Sequence, residues 1–467
     1  MTGAGAAAGL AGCFDGGGGG NNGNGSEDPT ELPPVHMLTD FNNDAWQTKW
    51  DENLVPTFQE ETDIEVDMEY AGFSGGGQEE RLATLIQSGD PPALSEATME
   101  QVADIWAAGR LAPTTDAVNE IKQTAGDLTS NLFQGADGDN FMFPHGYYCS
   151  NFNYRKDVYE ELGLEVPESF QALLDNAKAI DESDMDIRGF GLSATKGGKG
   201  QDEYQVFLAN MGVGELRIKD GTMEDDVPEA ELWFPKEEMV ELLNFQKELA
   251  QYSPDPASIG WGESLGDWAA GRFAQQYNLN MWPGGVAAGV DDTIAENTGV
   301  APLPRWKEGG VDRTTSRMSN PTPDGHFPYK NADNTPGAFE WMKWLYGDTM
   351  ERTARMYETE PTRFISIYED VITSDAYQNY DVWSEFPNLL EGMEYIQNTI
   401  VPDYYNNVEE AQLIGYKVPE ARYYYRFFFI GEMANQVVVG GRDPEAAYEE
   451  AKDQAEQRLQ EGKDKVR

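Results

Sequence analysis

The stretch that decides the fold, residues 143–180, is FPHGYYCSNFNYRKDVYEELGLEVPESFQALLDNAKAI. An extended aromatic run, from Tyr147 to Tyr154, leads into a short helix that should end near Gly163, because glycine adopts the left-handed C-terminal cap readily. A second helix is predicted after Ser169, since apolar residues recur there at helical spacing: Phe170, Leu173, Leu174, Ala177 and Ile180. The stretch therefore predicts a strand that feeds two helices, the second with one buried face.

Length and charge exclude several classes of protein. With 467 residues the chain is too long for one ordinary core, so two or three domain-sized units are expected. It carries 83 acidic and 33 basic residues, a formal net charge of −50 that is spread along the sequence. Nucleic acid and anionic lipid surfaces would repel such a chain. The acidity is typical of a surface kept soluble in strong brine, and it predicts a halophilic, haloarchaeal source.

The first 31 residues predict a leader and a tether. Leu10-Ala11-Gly12-Cys13 matches a lipobox, in which cleavage of a signal peptide leaves Cys13 to be lipid-modified. Because a basic segment and a longer apolar core are missing before it, the signal is expected to start upstream of Met1; the alternative is a chance cysteine. The following FDGGGGGNNGNGSEDP is typical of a flexible tether. No run of about 18 apolar residues predicts a membrane-spanning helix.

Strands alternate with helices from about residue 32. Val35 to Thr39 is predicted as a strand, and a polar turn from Asp40 to Asp44 follows it. Four apolar residues, Trp46, Trp50, Leu54 and Phe58, then share one helix face, with a bend expected at Pro56. Such alternation indicates a parallel α/β sheet whose ligands lie at the carboxyl ends of the strands.

Several blocks in a fixed order resemble the family 1 extracellular solute-binding proteins of ABC importers, the maltose-binding-protein group. The blocks extend from about residue 32 to 460 and are FQEETDIEV, RLATLIQSGDPPAL, WAAGRLAPTTD, the 143–180 stretch, GDWAAGRFAQQYNLNMWPGG, GVAPLPRW and VVVGGRDPEAAYEEAKDQAEQRL. One departure is Pro92-Ala93, where the family usually has an aspartate after the proline. The resemblance covers most of the chain.

The resemblance implies an α/β, two-lobe periplasmic-binding-protein-like fold (type II), with discontinuous lobes joined by a hinge. Such a protein captures a sugar or oligosaccharide, or secondly a polyol or glycerol phosphate, and delivers it unaltered to ABC permease subunits. It implies no enzyme activity, no cofactor, a monomer, and an extracellular position at the outer face of the membrane through the lipid on Cys13. The implied segments are 1–31 for leader and tether, 32–143 and 300–340 for lobe I, and 144–299 and 341–462 for lobe II.

Candidate ligand contacts follow from residue type and position. Sugar rings stack their apolar faces on aromatic side chains, while planar Asp, Asn and Arg groups bind hydroxyls in pairs. The aromatic candidates, at predicted loops or element ends, are Trp46, Phe73, Tyr147, Tyr148, Trp261, Trp282 and Trp383. The polar candidates are Asp40, Asn42, Asn43, Asp44, Glu96, Arg317 and Asn320. Helical spacing instead predicts core positions for Trp106, Trp341, Trp344 and the segment YYYRFFF (423–429), within which Arg426 would need a partner.

Two other functions remain open from the residues alone. GFSGG (72–76) fits the G-x-S-x-G motif of serine hydrolases, although neither His145 nor His326 lies in a supporting context. Paired carboxylates suggest a secreted glycan-acting hydrolase, but with 83 acids some pair will lie near any cleft. A surface adhesin is the third possibility. The three histidines lack metal-ligand spacing, and two cysteines make no disulfide framework.

Overall fold

The computed structural model describes residues 28–72, 77–98, 101–128, 139–219, 229–308, 311–312, 321–402 and 418–466. Several predicted features lie outside these residues: Cys13 with its tether, the GFSGG motif with Phe73 and Ser74, and Arg317 and Asn320.

The described strands are mostly short, with one exception of 13 residues. They are β1 (Val35–Thr39), β2 (Val66–Tyr70), β3 (Leu94–Thr98), β4 (Phe143–Arg155), β5 (Leu216–Ile218), β6 (Ala230–Leu232), β7 (Gln275–Leu279), β8 (Thr298–Ala301), β9 (Lys307–Glu308), β10 (Val311–Asp312), β11 (Pro321–Pro328) and β12 (Ile365–Ser366).

The main sheet is mixed. Its order is β12-β4-β11-β3-β1-β2, and β7 and β8 also pair with β4. Among the described strands, parallel pairing joins β1 to β2 and to β3, whereas β11 pairs antiparallel with both β3 and β4. The predicted parallel sheet is therefore right for the opening strands and wrong for the strands that join from later in the chain.

Strand β4 spans two groups of partners. Its first half pairs with β11 and β12, and its second half, from Ser150 onward, pairs with β7 and β8. Asn280, just after β7, fixes the middle of this arrangement. Its Oδ1 accepts from the Cys149 N–H at 2.9 Å, and its Nδ2 donates to the backbone oxygen of Arg363 at 2.7 Å. The segment that carries Arg363 is thus held against the centre of β4.

The described helices of the first 300 residues cover the sheet and extend beyond it. They are α1 (Asp44–Lys49), α2 (Val55–Thr62), α3 (Gly77–Ser88), α4 (Ala103–Ala107), α5 (Thr115–Ala125), α6 (Lys156–Leu162), α7 (Phe170–Asp181), α8 (Gly198–Ala209), α9 (Lys236–Leu249), α10 (Trp261–Ala269), α11 (Trp282–Ala288) and α12 (Asp292–Asn297).

The later helices follow in two groups, separated by residues outside the described ranges. They are α13 (Thr335–Gly347), α14 (Met350–Arg355), α15 (Glu369–Ile372), α16 (Asp375–Gln378), α17 (Asp381–Glu385), α18 (Pro387–Tyr395), α19 (Pro419–Tyr425), α20 (Phe429–Val438) and α21 (Pro444–Val466).

The helices after β4 form as their sequence predicts. Helix α6 ends at Gly163, whose φ of 66° lies in the left-handed region. Helix α7 begins after Ser169, whose side chain accepts from the Ala172 N–H at 3.2 Å. The five apolar residues of its predicted face are all buried.

The first helical segment is not α-helical throughout. A π-helical turn, Trp50–Leu54, connects α1 to α2 within one continuous helical stretch, and Pro56 lies in the first turn of α2. The bend expected at Pro56 stays a prediction. The apolar face is buried as predicted, with Phe58 packing on Trp341 of α13 at a ring distance of 4.7 Å.

The helices form two groups by their contacts. Helices α13 and α14 contact α5, whereas α20 contacts α8 and α9, and α21 contacts α9. An ion-pair cluster connects α4 with α21: Asp104 of α4 accepts from Arg426, and from Lys465 Nζ at 3.4 Å. Arg426 thus has the partner that its aromatic surroundings demand.

Candidate functional site

Three buried carboxyl groups meet where β1, β3 and β11 lie side by side. Asp40 follows β1, Glu96 lies in β3 and Asp324 lies in β11, and each residue is less than a tenth exposed. The Asp40 N–H donates to Glu96 Oε2 at 3.3 Å. Within the described residues, one oxygen of Asp40 and one of Asp324 have no hydrogen-bond partner. Because an unpaired buried acceptor is costly, these oxygens suit a ligand that brings donors.

The three carboxyls disturb one another electrostatically. Burial raises the pKa of Glu96 well above its usual range, and the charges of Asp40 and Asp324 raise it further. Burial also raises the pKa of Asp324 to about 7, Asp40 adds to the effect, and Arg363 opposes it. Near neutral pH, Glu96 and Asp324 therefore hold protons more readily than ordinary carboxyl groups do.

Arg363 supplies a positive charge beside this carboxyl cluster. Its Nε donates to the Tyr148 hydroxyl oxygen at 3.2 Å, and its Nη1 donates to Glu360 Oε2 at 2.9 Å. Trp46 Nε1 donates to the same Glu360 oxygen at 2.7 Å, so Glu360 connects the guanidinium to α1. Phe41 in turn stacks on Trp46 with ring centroids 4.4 Å apart.

Aromatic rings surround the guanidinium. The Arg363 Cζ lies 4.7 Å from the ring centre of Trp282 and 5.0 Å from that of Phe41, distances typical of cation–π contacts. Tyr148 stacks on Trp282 at 6.3 Å. The indole N–H of Trp282 is buried and has no partner within the described residues. The site thus combines an aromatic face, a guanidinium, an unused donor and unused acceptors.

The contact between Arg363 and Trp282 joins the two sides of β4. Arg363 precedes β12, which pairs with the first half of β4, while Trp282 begins α11 just after β7, which pairs with the second half. A ligand held here would touch groups from both sides.

A second polar cluster surrounds Trp261. The buried Lys199 Nζ donates to Glu203 Oε2 at 3.2 Å and to the Tyr277 backbone oxygen at 2.7 Å. It also lies 4.1 Å from the Tyr277 ring centre and 4.9 Å from that of Trp261. Burial raises the pKa of Glu203 to about 7 and lowers that of Lys199. Glu203 Oε1 is buried and has no hydrogen-bond partner among the described residues, and Trp261 lies half-buried beside the pair.

The two buried histidines share one tyrosine. The Tyr346 hydroxyl lies 2.7 Å from His145 Nδ1 and 2.9 Å from His326 Nε2. Burial lowers the pKa of His326 to about 3 and also lowers that of His145, so both rings are neutral. No group of three or more metal-ligating side chains is found among the described residues.

The residues of the predicted polar turn, Asp40 to Asp44, do not all lie at the site. Asp40 joins the carboxyl cluster, but Asn42, Asn43 and Asp44 are exposed. The Asn43 side chain accepts from the Trp46 N–H at 3.0 Å and so caps α1. Asp44 lines an open depression of about 680 Å³ that also includes Lys49 of α1.

Two aromatic candidates lie apart from the cluster. Trp383 packs with Tyr377 and Tyr380, and its Nε1 donates to the Tyr377 backbone oxygen at 2.8 Å. Tyr147 is buried within β4, where it pairs in register with Ile365 of β12. Of the described candidates, the structure brings together Asp40, Trp46, Glu96, Tyr148 and Trp282.

Four members of the site have no local signal in the sequence: Phe41, Asp324, Glu360 and Arg363. Arg363 and Glu360 lie in a segment, ETEPTRF, without a glycine loop or aromatic cluster. Asp324 lies in PTPDG, which has the composition of a turn. In the structure this segment is strand β11, inserted between β3 and β4.

Replacing Asp324 by asparagine (D324N) is expected to change how stability depends on pH. An ordinary aspartate loses its proton near pH 3.9 when unfolded, whereas folded Asp324 keeps it up to about pH 7. The folded state therefore binds more protons between these values, and stability is lost as the pH rises through 7. D324N should melt above the wild type at pH 8, with the difference shrinking toward pH 5. Thermal unfolding with the exposed D453N as control tests this, and parallel wild-type and D324N curves would contradict it.

Comparison with known proteins identifies a family pattern and a fold. The pattern of the family described as bacterial extracellular solute-binding protein matches residues 43–351, well over half of the chain. A comparison of the sequence with the curated proteins found no match.

Solved structures match the fold over nearly the whole chain. An ABC transporter solute-binding protein from Thermotoga lettingae TMO, bound to alpha-D-tagatose, has a TM-score of 0.70 at 20% identity and covers 91% of this chain and 100% of its own. An ABC transporter solute-binding protein from Agrobacterium radiobacter K84, in complex with ribitol, has a TM-score of 0.70 at 19% identity and covers 91% of this chain and 100% of its own. Maltose-bound MalE3 of T. maritima has a TM-score of 0.70 at 15% identity and covers 90% of this chain and 98% of its own. At these identities the likeness concerns the fold, and it confirms the predicted two-lobe α/β class.

Proposed function

The chain belongs to the bacterial extracellular solute-binding protein family, and on that premise we propose that it captures a sugar, an oligosaccharide or a polyol between its lobes. The ligand is held unaltered and passed to ABC permease subunits, whose separate ATPase supplies the energy. A ligand that touches both lobes stabilises the closed form through contacts that are absent when the lobes are apart.

The observation that carries this proposal is the composition of the site around Arg363. The rings of Tyr148 and Trp282 offer faces on which a sugar ring can stack. Asp40 and Asp324 offer unused acceptors, and the Trp282 indole offers an unused donor. Hydroxyl groups, which donate and accept, match this mixture better than an apolar or an anionic ligand would.

The lobe boundaries follow the pairing along β4. We place the partners of its first half in lobe I and those of its second half in lobe II. Residue 340, the boundary that the sequence predicts, lies inside α13, and both α13 and α14 pack against α5. Lobe I is therefore proposed to continue beyond α14. The contact of Asp104 with Arg426 then crosses from one lobe to the other.

The protein is proposed to work outside the cell membrane as a monomer, anchored through lipid on Cys13. The family is extracellular, and among the described helices none combines the length and apolar character needed to cross a bilayer. The lipid anchor, the signal peptide and the haloarchaeal source remain predictions from the sequence.

A panel of sugars and polyols titrated in high salt, with tryptophan fluorescence as the signal, tests the proposed function. Saturable binding with full recovery of the ligand is expected. Consumption of the sugar would instead favour the secreted glycan-acting hydrolase. An absence of saturable binding across the panel would favour the adhesin.

Replacing Trp282 by phenylalanine (W282F) is expected to weaken binding of the best ligand in that panel about tenfold. The change removes the unused indole donor and part of the aromatic face, a loss of about 1.4 kcal/mol. Isothermal titration gives the affinity. The matched control is W233F, because Trp233 lies beside Gly214, away from the site. Equal affinities of W282F and wild type would exclude Trp282 from the ligand site.

A further inference from the structure

The charges of the site do not balance. Four carboxyl groups, Asp40, Glu96, Asp324 and Glu360, surround one guanidinium, that of Arg363. Glu360 already forms an ion pair with Arg363. Among the described residues, the other three carboxyls have no ion-pair partner, in a place where burial makes each uncompensated charge costly.

The other titratable groups near the cluster cannot supply the missing charge. Tyr148 and Tyr346 interact with it electrostatically, but a tyrosine hydroxyl never carries a positive charge, and burial raises the pKa of both, which keeps them neutral. The imidazole of His326, from the same strand as Asp324, is neutral as well. Within the part of the chain that the structure describes, protons on Glu96 and Asp324, whose pKa values burial raises, are therefore the remaining source of compensation in the free protein.

The cluster also has unused hydrogen-bonding capacity. One oxygen each of Asp40 and Asp324 is buried and unpaired within the described residues. Independently, the nearby Trp282 presents a buried indole N–H without a partner. An ammonium group brings three donors and a positive charge, and a hydroxyl beside it can accept from the indole.

We propose that the ligand is a polyhydroxylated molecule bearing a protonated amine, an amino sugar or amino polyol, and that Asp40, Glu96 and Asp324 receive the amine. This inference rests on the proposed function and names its substrate class. The ammonium replaces protons in the cluster, and charge-assisted bonds to carboxylates are roughly twice as strong as neutral ones. The ion pair of Glu360 with Arg363 remains intact and orients the sugar hydroxyls.

Matched sets of three ligands test the proposal on the full chain. Each set contains an amino sugar, the parent sugar and the N-acetylated amino sugar, in the glucose and the galactose series. In isothermal titration at pH 7, the amino member of the preferred series should bind at least tenfold more tightly than both neutral members. Its binding should strengthen from pH 5.5 to 7 and release protons, detected as an enthalpy that differs between two buffers of unlike ionisation enthalpy.

Two variants test whether the carboxyl cluster causes the preference for the amino sugar over its parent sugar. D324N and E96Q each remove a negative charge but keep a polar group of similar size, and each should reduce the ratio between amino and parent sugar at least tenfold. The exposed D453N should leave the ratio unchanged. Two variants are used so that poor folding of one does not decide the outcome.

The possible outcomes separate this inference from the proposed function. The proposed amine site would be wrong if the neutral sugars bind as tightly as the amino sugars. It would also be wrong if the ratio of amino-sugar to parent-sugar affinity is unchanged in both D324N and E96Q. Either result would leave the proposal of sugar binding intact. Proton uptake instead of release on binding the amino member would also overturn the amine site. No saturable binding of any sugar would remove the proposed function and this inference together.

Discussion

Replacing Arg363 by methionine (R363M) is expected to abolish measurable ligand binding and to lower the free energy of unfolding by about 3 kcal/mol. The change leaves Glu360 and the Tyr148 hydroxyl without their shared donor. It also removes the positive charge that, among the described residues, lowers the pKa of Asp324. The destabilisation is placed at the lower end of the range for breaking a buried pair, because the Glu360 side chain keeps 21% exposure. Denaturant unfolding and fluorescence titration measure the two effects.

Arg355 provides the matched control for that change. It lies in α14, is half exposed, and pairs with Glu351 one helical turn away. Surface pairs of this kind contribute about 0.3 to 0.5 kcal/mol, so R355M should bind ligand normally and unfold almost as the wild type does. The lysine variant R363K separates charge from geometry, since an ammonium cannot donate in two fixed directions as a guanidinium does. Tight binding by R363M would exclude Arg363 from the ligand site.

Replacing Gly285 by alanine (G285A) is expected to weaken ligand binding at least tenfold. A Cβ at this position would lie 1.9 Å from Thr362 Oγ1 and 3.0 Å from Thr362 Cβ. Gly285 belongs to α11, which begins with Trp282, whereas Thr362 immediately precedes Arg363. The added methyl group therefore pushes the guanidinium away from the indole, at a cost of about 1 to 3 kcal/mol for overpacking. Isothermal titration and thermal unfolding measure the loss.

The same substitution in open space is the control for Gly285. Gly266 of α10 has no atom within 4 Å of the position that a Cβ would take, so G266A should be neutral or stabilise its helix by up to about 1 kcal/mol. A second change also tests the clash directly. T362A removes the nearest atom, and the double variant G285A/T362A should regain most of the lost affinity. A double variant no better than G285A would show that the effect arises elsewhere.

Local patterns were sufficient to predict much of the fold. The spacing from Phe170 to Ile180 and the position of Gly163 give α6 and α7 correctly, because helix faces and caps are set by residues within one or two turns. Trp341 and Trp344 are buried as their helical spacing predicts. Asp40 could be selected because it directly follows the predicted strand from Val35 to Thr39.

The rest of the site depends on pairing between distant segments. Asp324 comes near Glu96 only because β11 inserts antiparallel between β3 and β4, where Asp324 pairs in register with Thr98. No local periodicity encodes which strands become neighbours. Arg363 reaches the cluster because Asn280 holds its backbone against β4. Trp383 is a ligand candidate that local packing removes from the site. Two tyrosines close to it in sequence, Tyr377 and Tyr380, pack against its ring.

Strand β4 joins both sides of the molecule as one unbroken backbone of 13 residues. Sliding of one lobe along the other would break hydrogen bonds at every step of its ladder, so it is strongly opposed. Rotation, by contrast, needs only a small change in torsion angle at each peptide unit and keeps the ladder intact. We therefore expect the two sides to turn toward each other by twisting the backbone near Cys149 and Ser150, where the partners of β4 change. Substitutions that stiffen or soften this part of the strand are expected to change ligand affinity without altering a contacting side chain.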